Sequence, residues 1–242
     1  MDDEALALAT SVLFGSTMGL FDDIADLKWR YKAILPIFAA LPYIVLKPSE
    51  RTTVALPIFG IVDFGAPFFM LLVPIIVTVT TNAYNQLGGL NGLESLSGLI
   101  MLVGLAVVSG NLILTIVPIL CLIVLGYLSY SGRAFIGNVG TFSIGLTLAV
   151  YAILFNIKLV LLVMLIPHMF NSVLTLFSNY ILRDMAKTLI DDKGLLYSHK
   201  IRSLRTLILH YKRMEEHRAV LLIGLIIGLF TALSLFVKWI IY

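Results

Sequence analysis

The residues of this chain that could do chemistry are concentrated in one charged stretch, F-D-D-I-A-D-L-K-W-R-Y-K, at residues 21–32. Asp22 and Asp23 are adjacent and Asp26 follows one helical turn later, so a continuing helix would place the three carboxylates on one face. Such carboxylates repel one another unless a metal ion or cations neutralise them, and three basic residues ending in Lys32 follow at once. This combination suits a site that binds a magnesium-bound diphosphate. The alternative is a solvated loop between helices, whose cations mark the cytoplasmic side of a membrane.

A second candidate segment, T-N-A-Y-N-Q-L-G-G-L-N-G-L-E, occupies residues 81–94. Asn82, Asn85 and Asn91 supply amide oxygens and N–H donors without charge, and the glycines allow the backbone to turn and to approach a ligand closely. Because asparagine is costly at membrane depth unless it is bonded or used, these residues are candidates for substrate or metal binding. The alternative is helix capping and turn formation, for which Asn and Gly are equally typical.

Two more polar segments follow. In the first, S-Y-S-G-R-A-F-I-G-N-V-G-T-F at residues 129–142, Asn138 lies between two glycines where a helix would start. The N–H groups of a helix N-terminus can hold phosphate, although Asn138 could equally be an ordinary helix cap. The second, residues 183–218, has apolar residues at helical spacing and basic residues elsewhere on the turn. This pattern predicts an amphipathic helix on an anionic membrane leaflet.

The rest of the chain must position these segments, and its composition indicates how. The chain is 60% hydrophobic and 13% charged, with a mean hydropathy of +1.01, which is far from the range of soluble proteins. Its single cysteine excludes an intramolecular disulfide and a cysteine-based metal site. We predict an all-α polytopic transmembrane helical bundle that forms one domain over residues 1–242. About eight spans are expected, at residues 5–21, 33–46, 65–81, 93–108, 112–128, 139–155, 159–181 and 219–241.

Alternation of these spans puts the polar segments on one side of the membrane. The loops on that side carry 13 of the 17 Lys and Arg residues, which places them in the cytoplasm and both termini outside. The sequence therefore predicts an active site at the cytoplasmic face. A membrane transporter is the alternative from another class of protein. It would show internal repeats and binding groups near mid-membrane, and the sequence shows no convincing repeat.

Four motifs, taken together and in order, resemble the polyprenyl-phosphate N-acetylhexosamine-1-phosphate transferases of glycosyltransferase family 4. They are D-D-x-x-x-L-[KR]-W-R-x-K at residues 22–32, N-A-x-N-x-x-x-G-[LI]-N-G-L-E at residues 82–94, F-[IV]-G-x-x-x-[TCS] from Phe135, and I-P-x-x-F-N at residues 166–171. The tryptophan of the first motif and the N-G-L-E ending of the second are closer to the eukaryotic and archaeal dolichyl-phosphate GlcNAc-1-phosphotransferase branch than to the bacterial cell-wall enzyme.

The resemblance implies transfer of an N-acetylhexosamine-1-phosphate, with GlcNAc-1-phosphate expected, from a UDP-sugar to a polyprenyl or dolichyl phosphate. The reaction would release UMP, use Mg²⁺ (Mn²⁺ as a substitute) and begin the assembly of a lipid-linked glycan. The resemblance also implies an integral protein of the cell membrane or endoplasmic reticulum, a homodimer, and no nucleic-acid partner.

The same resemblance assigns roles to residues. Asp22 and Asp23 would activate the lipid phosphate or organise the diphosphate site, and Lys32 would hold the diphosphate. Metal contacts are expected from Asn85 and Asn138. Substrate contacts are expected from Asn82, Asn91, Phe135, His199 and Arg202, of which Asn91 and Phe135 match positions that line the nucleoside pocket.

Three departures from the family pattern are present, and the first and the third of them favour an alternative. Asn138 stands where the family has an aspartate that is a principal magnesium ligand, and an amide oxygen coordinates without the charge. The last loop matches the family's arginine- or histidine-rich motif only weakly, at His199, Lys200 and Arg202. The motif therefore does not determine which sugar is transferred. The two spans expected before the carboxylate helix are absent from this sequence. The alternative is therefore an inactive or truncated member with a structural or regulatory role.

Overall fold

The computed structural model describes residues 3–46, 49, 51–56, 60–184 and 186–241, and these residues are mostly helical. The helices are α1 (Asp3–Ala25), α2 (Trp29–Ala39), α3 (Leu41–Leu46), α4 (Val73–Gln86), α5 (Leu93–Ser109), α6 (Ile113–Tyr130), α7 (Gly137–Leu154), α8 (Lys158–Met164), α9 (Ile166–Phe177), α10 (Leu204–Tyr211) and α11 (Glu216–Ile241). π-Helical turns at Phe68–Leu72 and Ser178–Leu182 precede α4 and follow α9.

The predicted spans all coincide with helices, but fewer than eight are long enough to cross a membrane alone. Among the described residues, five helices have the length and hydropathy to do so, and the pair formed by α8 and α9 makes a sixth, bent by 57°. The other two predicted spans correspond to α2 with α3 and to α5, which are shorter. The chain is therefore an integral membrane protein of the predicted helical class, while the count of about eight spans is not confirmed.

Helix α7 lies at the centre of the bundle, between α1 and α4, and its residues from Ile144 to Leu154 are buried. Close approach on the α4 side depends on Gly145, because a Cβ there would lie 2.8 Å from the Cα of Thr81. On the other side Gly19 of α1 packs against the backbone of Asn138. These two glycine contacts bring the polar ends of α1, α4 and α7 together.

The bend between α8 and α9 follows from Pro167, which cannot donate a backbone hydrogen bond to the preceding turn. Two short antiparallel hairpins supplement the helices: β1 (Thr53–Leu56) with β2 (Gly60–Asp63), and β3 (Leu189–Ile190) with β4 (Leu196–Tyr197). The second hairpin lies in residues 183–218, where only an amphipathic helix was predicted. That helix is α10, and its Leu204 and Leu209 are buried in the apolar core of the bundle.

Candidate active site

The carboxylate stretch forms an ion-paired corner at the end of α1. The chain reverses after Ala25 through Asp26, whose φ is +42°, and α2 then directs Lys32 back towards α1. Asp22 is 2% exposed, and its Oδ1 lies 2.9 Å from the Nζ of Lys32. The Asp26 side chain is fully exposed, 3.6 Å from the same Nζ. Burial lowers the pKa of Lys32, but the hydrogen bonds and charges of the two aspartates outweigh it and raise the pKa above its ordinary value.

Asp23 points to a different partner, the N-terminus of α7. Its carboxylate accepts the backbone N–H groups of Asn138 at 2.9 Å and of Val139 at 3.1 Å. Gly137 permits this approach, because its φ is +63° and a Cβ there would lie 2.7 Å from the Oδ2 of Asp23. The negative carboxylate is well placed against the helix dipole. Asp23 therefore fixes Asn138 beside the carboxylate corner.

The two asparagines at the end of α4 complete this corner. Asn82 donates through its Nδ2 to the carbonyl of Ala33 in α2, at 3.2 Å. The Oδ1 of Asn85 accepts the hydroxyl of Thr141, in the first turn of α7, at 2.7 Å. Four helices thus meet through side chains that the sequence singled out, and Asp22, Asp23, Lys32, Asn82, Asn85 and Asn138 form one cluster.

A cavity of about 460 Å³ adjoins this cluster between α2, α4 and α9. Lys32, Asn82 and Asn85 line it, and apolar residues such as Leu176 form much of the remaining wall. The cavity shares Val79 with a second cavity of about 320 Å³, which is lined almost entirely by apolar side chains between α4 and α8. A cavity with several polar side chains and an almost wholly apolar cavity therefore lie next to each other along α4.

Asn91 lies elsewhere, in a second cluster around the glycine turn. Its backbone N–H and its Nδ2 both donate to the carboxylate of Glu216, at 2.8 and 3.4 Å. In the same turn Gly89 donates its N–H to Glu94, at 2.8 Å, and its carbonyl accepts Arg205 at 2.8 Å. Burial lowers the pKa of the Arg205 guanidinium, and the charges of Glu94 and Glu216 oppose that shift.

The remaining three predicted site residues are not brought to the Lys32 cavity. Phe135 is 83% exposed and borders a separate apolar cavity of about 450 Å³ between α1, α5, α6 and α7. His199 is exposed, with its ring 5.1 Å from that of Tyr197. Arg202 donates to the carbonyl and the carboxylate of Asp184 at 3.2 and 3.3 Å. The substrate roles of Asn91 and of these three residues stay predictions.

A family model described as glycosyl transferase family 4 matches residues 5–156. The chain belongs to glycosyl transferase family 4. A protein of Sulfolobus acidocaldarius is 31% identical over 246 residues, covering 97% of this chain and 74% of its own length. One of Saccharolobus solfataricus is 28% identical, covering 96% of this chain and 74% of its own length. Both carry, provisionally, the name UDP-N-acetylglucosamine–dolichyl-phosphate N-acetylglucosaminephosphotransferase. A Dictyostelium discoideum protein with that name is 31% identical, covering 68% of this chain and half of its own length.

The oxygen donors of this family 4 chain bear on whether it can hold a divalent cation. Within the described part of the chain no three carboxylate, imidazole or thiol side chains converge, so a cation would depend on amide oxygens as well as carboxylates. The Oδ2 of Asp22 is buried and has no hydrogen-bond partner in the described structure. Oxygen donors of this kind suit Mg²⁺ and Mn²⁺. The donor set is nevertheless weaker than one in which an aspartate replaces Asn138.

The site of this family 4 chain also contains residues that were not predicted from the sequence. Further polar side chains line the Lys32 cavity, and Glu216 and Thr141 hold predicted site residues in place. For most of the first group the signal was present in the sequence as polar residues three or four positions apart inside apolar spans. The lining residues with this spacing include Thr78, Gln86, Ser172, Thr175 and Asn179.

Proposed function

We propose that this chain transfers GlcNAc-1-phosphate from UDP-GlcNAc to a dolichyl or other polyprenyl phosphate and releases UMP. Its family and the names of its relatives support this activity. The structural observation that carries the proposal is the position of Lys32, held by a buried carboxylate on the wall of a cavity that contains two asparagine amides. A cation beside neutral polar groups suits a diphosphate.

In the proposed reaction an oxygen of the lipid phosphate forms a bond to the sugar-linked phosphorus of the UDP-sugar. The bond from that phosphorus to UMP breaks, and UMP leaves with the bonding electrons. Lys32 offsets the negative charge of the phosphoryl oxygens, and Asp22 fixes the ammonium group in place. A lysine is protonated at neutral pH even at its ordinary pKa, so the positive charge of Lys32 is available for this role.

The proposal includes a magnesium ion as cofactor, for which manganese could substitute. Asp23, Asn85 and Asn138 would hold it, together with the unpartnered oxygen of Asp22. When bound, it would supply positive charge to the diphosphate. Hydrogen bonds hold two of these donor residues in place, since Thr141 orients the Asn85 amide and Asp23 anchors the backbone of Asn138.

The proposed site faces the cytoplasm, because the loops at its end of the bundle carry most of the Lys and Arg residues. The hydrocarbon part of the lipid would run along the apolar cavity between α4 and α8. We also expect a homodimer and no nucleic-acid partner, as the family resemblance implies. The choice between GlcNAc and another N-acetylhexosamine depends on the loop that contains His199 and Arg202.

The test is a transfer assay with purified protein in detergent, UDP-GlcNAc, a short polyprenyl phosphate and Mg²⁺. The expected result is turnover in the wild type, with UMP and the lipid-linked sugar formed in equal amounts, and loss of turnover in Asp22→Asn. Replacing UDP-GlcNAc with UDP-GalNAc in a parallel reaction tests the choice of sugar. A folded wild type that forms no product with any of these donors would contradict the proposed activity.

A second candidate function is favoured by one observation, the amide of Asn138 in the position of the family's aspartate. A chain with this weaker donor set could bind its ligands without turning them over. This candidate predicts that the wild type binds the polyprenyl phosphate without turnover, and that Asn138→Asp gains turnover if the amide is the cause. Turnover by the wild type excludes it.

A further inference from the structure

We propose that Tyr84 and His168 are positioning residues for the nucleotide-sugar donor, because their stacked rings fix the start of α5 and with it the glycine turn that contains Asn91. The glycine turn is the connection between α4 and α5, residues 87–92. Tyr84 belongs to α4, and His168 belongs to α9. The inference rests on the proposed function, since it takes this turn to contact UDP-GlcNAc.

The family motifs leave the identity of both residues open. Tyr84 occupies the variable position of N-A-x-N in the second motif, and His168 occupies the first variable position of I-P-x-x-F-N in the fourth. In the structure the two side chains meet, with ring centroids 5.2 Å apart and ring planes that differ by 14°. The stacked pair is therefore a property of this chain that the motifs do not specify.

The stack is enclosed by the bundle. Tyr84 is 1% exposed and His168 is fully buried. The Nδ1 and Nε2 atoms of His168 have no hydrogen-bond partner in the part of the chain that the structure describes. Unpaired polar atoms in the interior are costly, whereas an offset stack of two rings is favourable. The imidazole of His168 therefore acts through the face of its ring, and its nitrogens contribute nothing to the contact.

The hydroxyl of Tyr84 connects the stack to α5. It donates to the backbone carbonyl of Glu94 and accepts the hydroxyl of Ser97 at 2.9 Å. Gly98 leaves room for this contact, because a Cβ there would lie 2.8 Å from the oxygen of Tyr84. A tyrosine ring is rigid, so the orientation of the ring determines where the hydroxyl lies. The stack on His168 fixes that orientation and so holds the first turn of α5.

The first turn of α5 in turn fixes the glycine turn. The carboxylate of Glu94 accepts the N–H of Gly89 at 2.8 Å. Gly92, whose φ is +87°, joins the turn to the helix directly after Asn91. A shift of the helix start would therefore move Glu94 and the backbone that carries Asn91. Hydrogen bonds weaken steeply away from their preferred geometry, so such a shift should lower the affinity for the donor.

Tyr151 of α7 offers a matched comparison within the same molecule. It is fully buried, donates to the backbone carbonyl of Asn111 and shares a hydrogen bond of 2.5 Å with the hydroxyl of Ser109. Its ring packs against that of Phe155, with centroids 4.6 Å apart. Ser109 is the last residue of α5. Tyr151 thus makes the same kinds of contact as Tyr84, but at the end of α5 farthest from the glycine turn.

The experiment measures binding, so it does not depend on turnover. The purified full chain in detergent with Mg²⁺ is titrated calorimetrically with UDP-GlcNAc, with UMP and with a short polyprenyl phosphate, and the melting temperature of each variant is recorded. Tyr84→Phe removes the hydroxyl and keeps the stack. His168→Leu removes the stack, and His168→Phe keeps an aromatic ring without the nitrogens. Tyr151→Phe is the control.

We expect Tyr84→Phe and His168→Leu each to bind UDP-GlcNAc and UMP about fivefold more weakly, with an unchanged affinity for the polyprenyl phosphate. His168→Leu serves alone if Tyr84→Phe does not fold. His168→Phe should bind UDP-GlcNAc as the wild type does and should melt no lower, because it loses only unpaired nitrogens. Tyr151→Phe should lower the melting temperature about as much as Tyr84→Phe and leave the affinity for UDP-GlcNAc unchanged.

Several results would overturn the assignment. Unchanged affinity for UDP-GlcNAc in both Tyr84→Phe and His168→Leu would exclude a role in positioning the donor. An equal loss for the polyprenyl phosphate, or an equal loss of donor affinity in Tyr151→Phe, would show a general effect on packing. A loss in His168→Phe as large as that in His168→Leu would contradict a role of the ring. A wild type that binds UDP-GlcNAc but transfers no sugar phosphate would contradict only the proposed function, and one that binds no UDP-GlcNAc would contradict both.

Discussion

The wall of the Lys32 cavity and the glycine-turn cluster differ in how far their polar atoms are satisfied. In and beside the wall of this cavity, the Oγ atoms of Thr78, Ser172 and Thr175 and one oxygen of Asp22 are buried without partners in the described structure. In the glycine turn, Glu216 accepts two hydrogen bonds from Asn91, and Gly89 is bonded through both its N–H and its carbonyl. Both regions come from stretches rich in Asn, Thr and Gly, so residue type alone does not separate them.

This difference indicates that the two regions have different functions. Buried polar atoms without partners are costly, and proteins retain them mainly where a ligand, an ion or water completes the set. The wall of the Lys32 cavity retains several such atoms, which suits a site that a ligand or an ion completes. In the glycine turn the Nε of Arg205 is also buried without a partner in the described structure, but hydrogen bonds with Arg205 of α10 and Glu216 of α11 hold the backbone of the turn in place. Changes around the Lys32 cavity should act on binding and turnover, and changes around the turn should act through position.

The largest expected effect is that of Asp22→Asn. The substitution removes the buried partner of Lys32 and one candidate metal oxygen, so we expect transfer activity to fall at least about a hundredfold. The matched control is Asp26→Asn, whose exposed carboxylate lies farther from the same ammonium group and should matter little. Both variants are compared by rate and by melting temperature. Equal losses in the two variants would remove the distinction between a buried and an exposed partner of Lys32.

The second effect concerns the cation. Asn138→Asp adds a carboxylate next to Asp23, which should lower the half-saturating Mg²⁺ concentration about tenfold. Without metal the two carboxylates repel each other, so the melting temperature should fall slightly, and added Mg²⁺ should raise it more than in the wild type. The measurements are rate and melting temperature against Mg²⁺ concentration. An unchanged response to Mg²⁺ in both would exclude the side chain at this position from the metal site.

Much of the architecture could be predicted from the sequence, because long apolar runs leave helices as the only structure that satisfies the backbone in a membrane. The clustering of Lys32, Asn85 and Asn138 was also within reach, since their segments lie at the same end of alternating spans. The number of membrane spans was harder to predict from the sequence. Pro167 bends one span, and α2 and α3 are separated near Ala40, and a hydropathy pattern does not register such breaks.

The contacts between the last polar segment and the rest could not be predicted. Glu216 meets Asn91 across 125 residues of sequence, and neither residue carries a local signal for that contact. The same holds for Leu204, whose N–H donates to Asn171 at 2.9 Å and so ties α10 to α9. Residues 201–208 have the period of a surface helix, and the period alone does not distinguish a membrane surface from the surface of the protein's own bundle.

A moderate effect is expected from Glu216, which holds Asn91 in the glycine turn. Glu216→Gln keeps the shape but turns one acceptor into a donor facing the amide of Asn91, and it removes a charge near Arg205. If Asn91 contacts the nucleoside, the KM for UDP-GlcNAc should rise about three- to tenfold while the KM for the lipid is unchanged. Glu215→Gln is the control, because Glu215 pairs only with Arg218 on the surface among the ion pairs of the described residues. A rise in both KM values would contradict a role confined to the turn.

The smallest effect is expected from Asp184, in the exposed part of the last polar segment. The hydrogen bond from Lys200 and the charges of Lys200 and Arg202 hold the pKa of the Asp184 carboxyl below its ordinary value. A carboxylate with a lowered pKa contributes stability above the ordinary carboxyl range, and this contribution is lost as the pH falls through the lowered pKa. Asp184→Asn should therefore lower the melting temperature at neutral pH by less than about 2 °C, since the pair is exposed, and the difference should disappear in acid and in high salt.

The same variant also tests whether the last segment selects the sugar. If Arg202 serves mainly to hold Asp184, Asp184→Asn and Arg202→Ala should change the melting temperature alike and leave the preference between UDP-GlcNAc and UDP-GalNAc unaltered. If Arg202 contacts the donor, Arg202→Ala should change that preference and Asp184→Asn should do so less, because the guanidinium and its bond to the backbone carbonyl of residue 184 remain. Comparing the two variants separates an exposed ion pair from a substrate contact, even though both involve the same guanidinium group.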